Sequence, residues 1–238
     1  MENINELVFL KERLDTIQME LSRLIELNNV LSMIQIEKVA GVDMAYWKKK
    51  GTEYAVCCII VMKRETLQIM ECKSSFGKVK MPYVPGYLAF RELPLVLETV
   101  KKLESVPDLY MFDGNGYLHP RHMGIATHAS FYLKKPTIGV AKSYYKINDV
   151  DFHMPSNEIN AYTDIIIDGK TYGRVLRTIK NVKPIFISIG NYIDLDTTTR
   201  LVCNFINKES HIPLPIRLAD IETHRMRKEL QTKDGYIL

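Results

Sequence analysis

The sequence predicts an α/β fold, a mixed β-sheet flanked by helices on both faces. Three observations carry that prediction. Three apolar runs rich in Val, Ile and Cys, Lys38–Tyr46, Tyr54–Lys63 and Thr66–Phe76, follow one another across short charged turns and read as three antiparallel strands. Beyond Phe90, segments of helical spacing alternate with short apolar runs, the pattern of strands joined through helices. Finally, 238 residues with 46% hydrophobic and 25% charged side chains can bury a full core, which suits one domain over residues 1–238.

The elements follow in order. Leu7, Leu10, Leu14, Ile17, Leu21 and Leu24 step by three and four, one stripe of a helix over about 3–28 that Asn28-Asn29 ends. Such a stripe packs on its own domain more readily than it forms a three-heptad coiled coil, and a monomer is expected. The turns between the first three strands carry Lys48-Lys49-Lys50-Gly51 and Lys63-Arg64-Glu65. Pro82-Tyr83-Val84-Pro85-Gly86 excludes a regular helix or a central strand. A helix over Phe90–Leu103 presents Leu93, Val96, Leu97, Val100 and Leu103; Pro94 is tolerated only in its first turn, which sets Glu92 at or just before the helix start. Then come a strand Leu109–Phe112, a helix Gly124–Leu133, a strand Thr137–Ala141 and a hairpin Asp164–Asp168 and Tyr172–Arg177 about Gly169. A strand Pro184–Ile189 and helices Thr197–Ile206 and Pro215–Leu230 close the chain. Three antiparallel strands followed by parallel ones form the ribonuclease-H-like layout.

A net charge of +4 permits a polyanionic partner without demanding one. Cys57, Cys58, Cys72 and Cys203 form no CxxC pair and read as buried free thiols of a reducing compartment. No apolar run approaches the ~20 residues of a membrane span, and Met1–Glu6 is too polar to begin a secretory signal, so a soluble cytoplasmic protein is expected.

Two aspartates end apolar strands: Val39-Ala40-Gly41-Val42 leads into Asp43, and Leu109-Tyr110-Met111-Phe112 into Asp113. A carboxylate at a buried strand edge needs hydrogen bonds, a counter-charge or a cation. Two such strands side by side would favour a divalent ion, and Mg²⁺ suits carboxylate and phosphate oxygens. Asp43 beginning a turn and Asp113-Gly114 as a turn signal explain the same residues equally well. Glu92 adds an acid that a helix dipole would stabilise, although first-turn acids are also ordinary caps. His119-Pro120-Arg121-His122 and His128 match no common structural zinc spacing, and a histidine and arginine beside a phosphate-handling centre is the better reading. Lys142 stands at the end of Thr137–Ala141, where it could neutralise phosphoryl charge or simply snorkel. Tyr83 between two prolines could insert between bases or could merely pack its loop.

Gly41-Val42-Asp43, the block from Pro82-Tyr83-Val84-Pro85-Gly86 to Phe90-Arg91-Glu92, Asp113-Gly114-Asn115-Gly116 with His119-Pro120-Arg121, and Gly139-Val140-Ala141-Lys142-Ser143 occur together in one order. In that order and character the chain resembles the endonuclease V family from about Val39 to Asp220. The resemblance implies a ribonuclease-H-like fold and a Mg²⁺- or Mn²⁺-dependent repair nuclease acting on deoxyinosine, deaminated adenine. It would cut the second phosphodiester bond on the 3′ side, leaving 3′-hydroxyl and 5′-phosphate ends. By resemblance, Asp43, Glu92, Asp113 and Asp220 hold the metal, and Lys142 and His119 lie near the scissile phosphate. Tyr83 is the wedge that fills the gap of the flipped base. Gly86, Leu88, Gly114 and Gly124 line the hypoxanthine pocket, with Arg121 beside them. Two positions depart from the family pattern: Leu214 replaces an acid between Pro213 and Pro215, and Asn191 replaces a histidine after Gly190. Inosine-containing RNA or single strands as substrate, and non-catalytic binding of damaged nucleic acid, remain alternatives on sequence.

Overall fold

One tight turn sets the pairing of the first two strands. Lys50 and Gly51 both take positive φ, the backbone of a two-residue hairpin turn whose twist matches its strands. That turn joins β1 (Lys38–Lys49) to β2 (Thr52–Lys63), and β3 (Ile69–Lys78) adds on antiparallel. The protein is described by a computed structural model covering residues 2–232, with side-chain environments from residue 9. The remaining strands are β4 (Leu109–Asp113), β5 (Thr137–Ala141), β6 (Tyr162–Ile167), β7 (Lys170–Leu176) and β8 (Ile185–Asn191). Together they make an eight-stranded sheet in the order β3-β2-β1-β4-β5-β8-β7-β6. Only β1 with β4 and β4 with β5 run parallel, as the mixed-sheet expectation required.

The helices are α1 (Glu2–Ser22), α2 (Leu88–Val100), α3 (Ile125–Leu133), α4 (Leu195–Asn204) and α5 (Leu214–Thr232). Alternation along β1 and β4 splits the core in two. Ala40, Val42, Tyr110 and Phe112 meet Leu93 and Val96 of α2 and Ala126 and Ala129 of α3. Val39, Leu109 and Met111 face Leu201 and Val202 of α4 and Ile216 and Ala219 of α5. None of the described helices is long and apolar enough to cross a membrane.

Several boundaries move. The N-terminal helix ends at Ser22 rather than near 28. Leu14 is buried and Ile17 and Leu21 partly so, whereas Leu10 and Leu24 are exposed; the side chain of Leu7 lies outside the described residues. The third strand begins at Ile69, because Leu67 takes positive φ in the turn before it. The most consequential shift is in α2. It starts at Leu88, so Pro94 lies in its interior and Glu92 in its second turn, not at its start. The helix dipole therefore does not stabilise Glu92. Cys57 and Cys58 are buried, as expected, but Cys203 is only partly buried and Cys72 is exposed.

Candidate active site

The register of β1 with β4 ends at Val42 beside Phe112, so Asp43 and Asp113 follow as neighbours on the face that α5 covers. The α5 helix supplies the third acid. It can approach because residue 41 is glycine: a Cβ there would fall 2.1 Å from the Pro215 carbonyl carbon. With α5 seated so closely, ligand oxygens of Asp43, Asp113 and Asp220 come within 4.8 Å of one another. Thr223, one turn after Asp220, donates its hydroxyl to Asp43 Oδ2 at 3.0 Å.

Crowding and burial raise the cost of charge here. The Asp43 carboxyl is pushed up to about 7, first by burial and then by the neighbouring charge of Asp113, with Thr223 and Lys142 pulling the other way. Lys142 Nζ stands 2.7 Å from Asp113 Oδ2 and 3.4 Å from Asp220 Oδ1. Burial opposes its charge, but the hydrogen bond and charge of Asp113 outweigh that and raise its pKa. The donor set is therefore all carboxylate oxygen, with mutual repulsion only partly relieved by one ammonium. Hard divalent cations of the Mg²⁺ and Mn²⁺ kind fit such a set, and the three aspartates would hold one.

Glu92 reaches this end of the sheet from the opposite layer and is not within the three-aspartate cluster. Tyr46, on β1, donates its phenol to Glu92 Oε1 at 2.6 Å. Burial lifts the Glu92 carboxyl to about 7; the Tyr46 hydrogen bond works against that rise, and the charges of Asp43 and Asp113 add to it. Glu92 is thus coupled electrostatically to the cluster while being held by a different partner.

Beside the acids lies a cavity lined by Tyr83, Gly86, Leu88, Ala89, Asn115, His119, Met123, Gly124, Ile125 and Tyr145. It opens where two helices begin. Leu88 and Ala89 belong to the first turn of α2, and Gly124 and Ile125 begin α3, so amide hydrogens without intrahelical acceptors gather at its wall. Gly86 turns the chain at φ +84, a conformation that suits glycine. Tyr83 is two-thirds exposed at 67%, a free aromatic face at the rim. Gly114 is behind the wall rather than on it: a Cβ there would meet Ile125 Cγ2 at 2.8 Å. Asn115 contributes a buried Oδ1 with no hydrogen-bond partner among the described residues.

His119, His122 and His128 do not join the metal-capable group of the three aspartates. His119 lines the cavity, its Nε2 3.1 Å from the Gly86 carbonyl and its Nδ1 accepting from the backbone of Arg121 and Met123. Burial, reinforced by the Arg121 charge, lowers it to about 4, so the ring is neutral and its hydrogen goes to Gly86. It braces the cavity turn rather than standing among the acids. His122 stacks on Tyr117 at 3.9 Å, and His128 is buried edge-on to Phe90. Arg121 ties the same turn to α1: its Nε contacts Gln18 Oε1 at 2.5 Å and Asp15 Oδ1 at 3.1 Å, and its Nη2 donates to Gly86 O.

Both departures from the family pattern are structural. Leu214 opens α5 and packs against the core, with its backbone bonded to Phe205 O. Asn191 Oδ1 accepts from Glu26 N at 2.7 Å, fastening the segment after α1 to the end of β8. Sequence reading passed over Tyr46, Thr223, Gln18, Asn115 and Tyr145. Two of these left a signal: Gln18 is a polar residue inside the apolar face of α1, and Thr223 follows Asp220 at helical spacing.

A sheet of this order with clustered carboxylates at the ends of its parallel strands defines a ribonuclease-H-like nuclease. The sequence profile of the endonuclease V family matches residues 19–221. An endonuclease V of Bacillus thuringiensis subsp. konkukian is 58% identical over 230 residues, 97% of each chain. The crystal structure of endonuclease V from Bacillus subtilis superposes with a TM-score of 0.90 at 53% identity, covering 93% of both chains. That of Ciona intestinalis endonuclease V, in complex with a 24mer DNA containing an inosine followed by a ribo-adenosine, gives 0.82 at 26% identity over 97% of this chain and 100% of that one. The chain belongs to the endonuclease V family and is a phosphodiester-cleaving nuclease.

Proposed function

We propose that this chain recognises deoxyinosine in DNA and hydrolyses the second phosphodiester bond 3′ to it, leaving 3′-hydroxyl and 5′-phosphate ends. One observation carries the reading: the turn Asp113-Gly114-Asn115 gives its first residue to the acid cluster and its third to the cavity wall. Chemistry and base selection are thus two residues apart on one rigid turn. The Ciona intestinalis relative, whose structure contains inosine DNA, supports the choice of base.

In this reading Asp43, Asp113 and Asp220 hold Mg²⁺, with Mn²⁺ as a substitute, and Glu92 completes the set from the opposite layer. Bound there, the ion supplies Lewis acidity toward the phosphodiester and its attacking water. Lys142 donates to a phosphate oxygen, exchanging an aspartate partner for the substrate. Tyr83 fills the stack left by the extruded base, and an inosine pair, being weaker, is cheaper to open. Gly86, Leu88 and Gly124 let the backbone close on a flat purine, where helix-start amides meet its carbonyl oxygen. Gly114 supports that wall from behind, while His119 and Arg121 fix the Gly86 turn. The whole chain acts as one unit and as a cytoplasmic monomer, consistent with its free thiols.

A second reading is inosine-containing RNA, favoured by the ribo-adenosine in the Ciona intestinalis complex. Matched DNA and RNA oligonucleotides with one inosine, incubated with and without Mg²⁺ and mapped at nucleotide resolution, separate the two. A Mg²⁺-dependent DNA cut one nucleotide beyond the inosine supports the proposal; preferential RNA cleavage shifts it to the second reading, and random degradation sinks both.

A further inference from the structure

The end of the sheet beyond the acids carries more positive charge than the chain as a whole. The hairpin tip holds Lys48, Lys49 and Lys50, and the end of β3 adjoins it with Lys78 and then Lys80. That makes five lysines against a net charge of +4 for the entire protein. The acid within this group, Glu53, is already neutralised by Arg91 at 2.9 Å. Lys48, Lys50, Lys78 and Lys80 are exposed and form no ion pair with any described residue. A charge run is often just a solvated surface, but this one has a fixed place. The tip turn is tight and its strands are fully paired to Lys49, so the charges ride on a stiff ribbon. While β4 stops at Asp113, β1 continues past Asp43 to Lys49. Tyr83, the rim aromatic, follows Lys80 by three residues.

We infer that this lysine-bearing end, formed by Lys48, Lys50, Lys78 and Lys80, is a docking edge for the phosphate backbone of a DNA duplex outside the lesion. The inference rests on the nucleic-acid reading above and adds a footprint to it. Five residues of strand separate Asp43 from Lys48. At ~3.3 Å each that is about 17 Å, or about five nucleotide steps of ~3.4 Å. With the duplex axis running along β1, the edge meets backbone roughly five base pairs from the acids, on the side toward which β1 continues.

The test is duplex binding by the full chain in EDTA, followed by fluorescence anisotropy across a salt series. The probes are 24-bp and 8-bp DNA duplexes with a central inosine, the same duplexes with adenine, and a 24-bp RNA duplex. Each phosphate contact contributes about 0.9 to the slope of log affinity against log salt. Replacing all four lysines with glutamine is expected to flatten the slope by about 3 to 4 on the 24-bp probe and by less than about 1 on the 8-bp probe, which ends before the edge. The pairs K48Q/K50Q and K78Q/K80Q should each remove about half, which guards against a misfolded quadruple variant. The charge-matched control K101Q/K134Q, at the opposite end of the sheet, should change nothing. An unchanged slope in the quadruple variant overturns the docking edge, as does equal flattening on both probe lengths or by the control. Flattening confined to the RNA duplex also overturns the proposal, since the edge would then not meet DNA. Equal affinity for inosine and adenine probes would instead overturn the lesion reading and leave the edge standing.

Discussion

Tyr46 donates its phenolic hydrogen to Glu92 at 2.6 Å while the Arg91 guanidinium lies 4.6 Å from the centre of its ring. A carboxyl that burial has lifted to about 7 is thereby kept oriented, and its rise is restrained. Partners that orient metal-site carboxylates typically matter by about 10–100-fold.

Replacing Tyr46 with Phe removes that hydrogen bond and lets the Glu92 pKa climb further. The acidic limb of the cleavage profile should move to higher pH, with activity at pH 7 down about 10–100-fold. A profile superimposable on the wild type, measured in Mg²⁺, would show that Tyr46 only fills space.

Asp43 gives a stability prediction whose sign is fixed. Its folded pKa of about 7 exceeds the ordinary value of 3.8, so the folded state holds its proton more tightly. That contribution is fully present below about pH 4 and is lost as pH rises through about 7. Metal-free protein should therefore melt lower at pH 8 than this group would allow at pH 5, and Asp43→Asn should flatten the decline. Mg²⁺ should raise the wild-type melting temperature at pH 8 and leave Asp43→Asn unmoved, with cleavage abolished. Calorimetry showing an equal Mg²⁺ response in both would remove Asp43 from the metal site.

Gly41→Ala should act at a distance from any ligand. Its Cβ would press on Pro215 at 2.1 Å, and α5 must back away, carrying Asp220 with it. Overpacking of this kind costs about 1–3 kcal/mol, roughly 2–4 °C of melting temperature for each. Titration should also show weaker Mn²⁺ binding. Intact Mn²⁺ affinity despite lowered stability would mean Asp220 does not depend on this approach.

Tyr83→Ala should weaken binding of inosine DNA with little change in turnover at saturation, because the ring is exposed at the cavity rim and is not one of the clustered acids. Stacking on an aromatic is worth about 1–3 kcal/mol per base, or about 5–150-fold in affinity. Tyr83→Phe should retain it. A loss confined to kcat would place Tyr83 in the chemistry instead.

The legible parts of the molecule were those with local causes. Asp43 and Asp113 could be placed at strand ends because apolar runs stop there, and parallel pairing then made them neighbours. Glu92 lies deeper in α2 than its sequence suggests, since Pro94 points to a later helix start than α2 takes. The interior proline is tolerated within a helix whose buried residues Ala89, Leu93 and Val96 anchor it on both sides. Tyr46 and Asn115 were not legible: their roles depend on which layer each strand residue faces and on what the fold leaves unpartnered. His119 was grouped with the acids by its sequence block, whereas its ring nitrogens are taken up by the cavity turn.

The contacts of Gln18 change how the molecule divides into parts. This buried side chain on α1 donates to the carbonyl of Gly86 at 3.1 Å, and its oxygen takes the Arg121 guanidinium. The opening helix therefore bolts the cavity turn from behind. Under the proposed function, a shortened chain beginning after Ser22 would retain Asp43, Glu92, Asp113 and Asp220 and lose the support of its base pocket, so that choice of base should fail before cutting does.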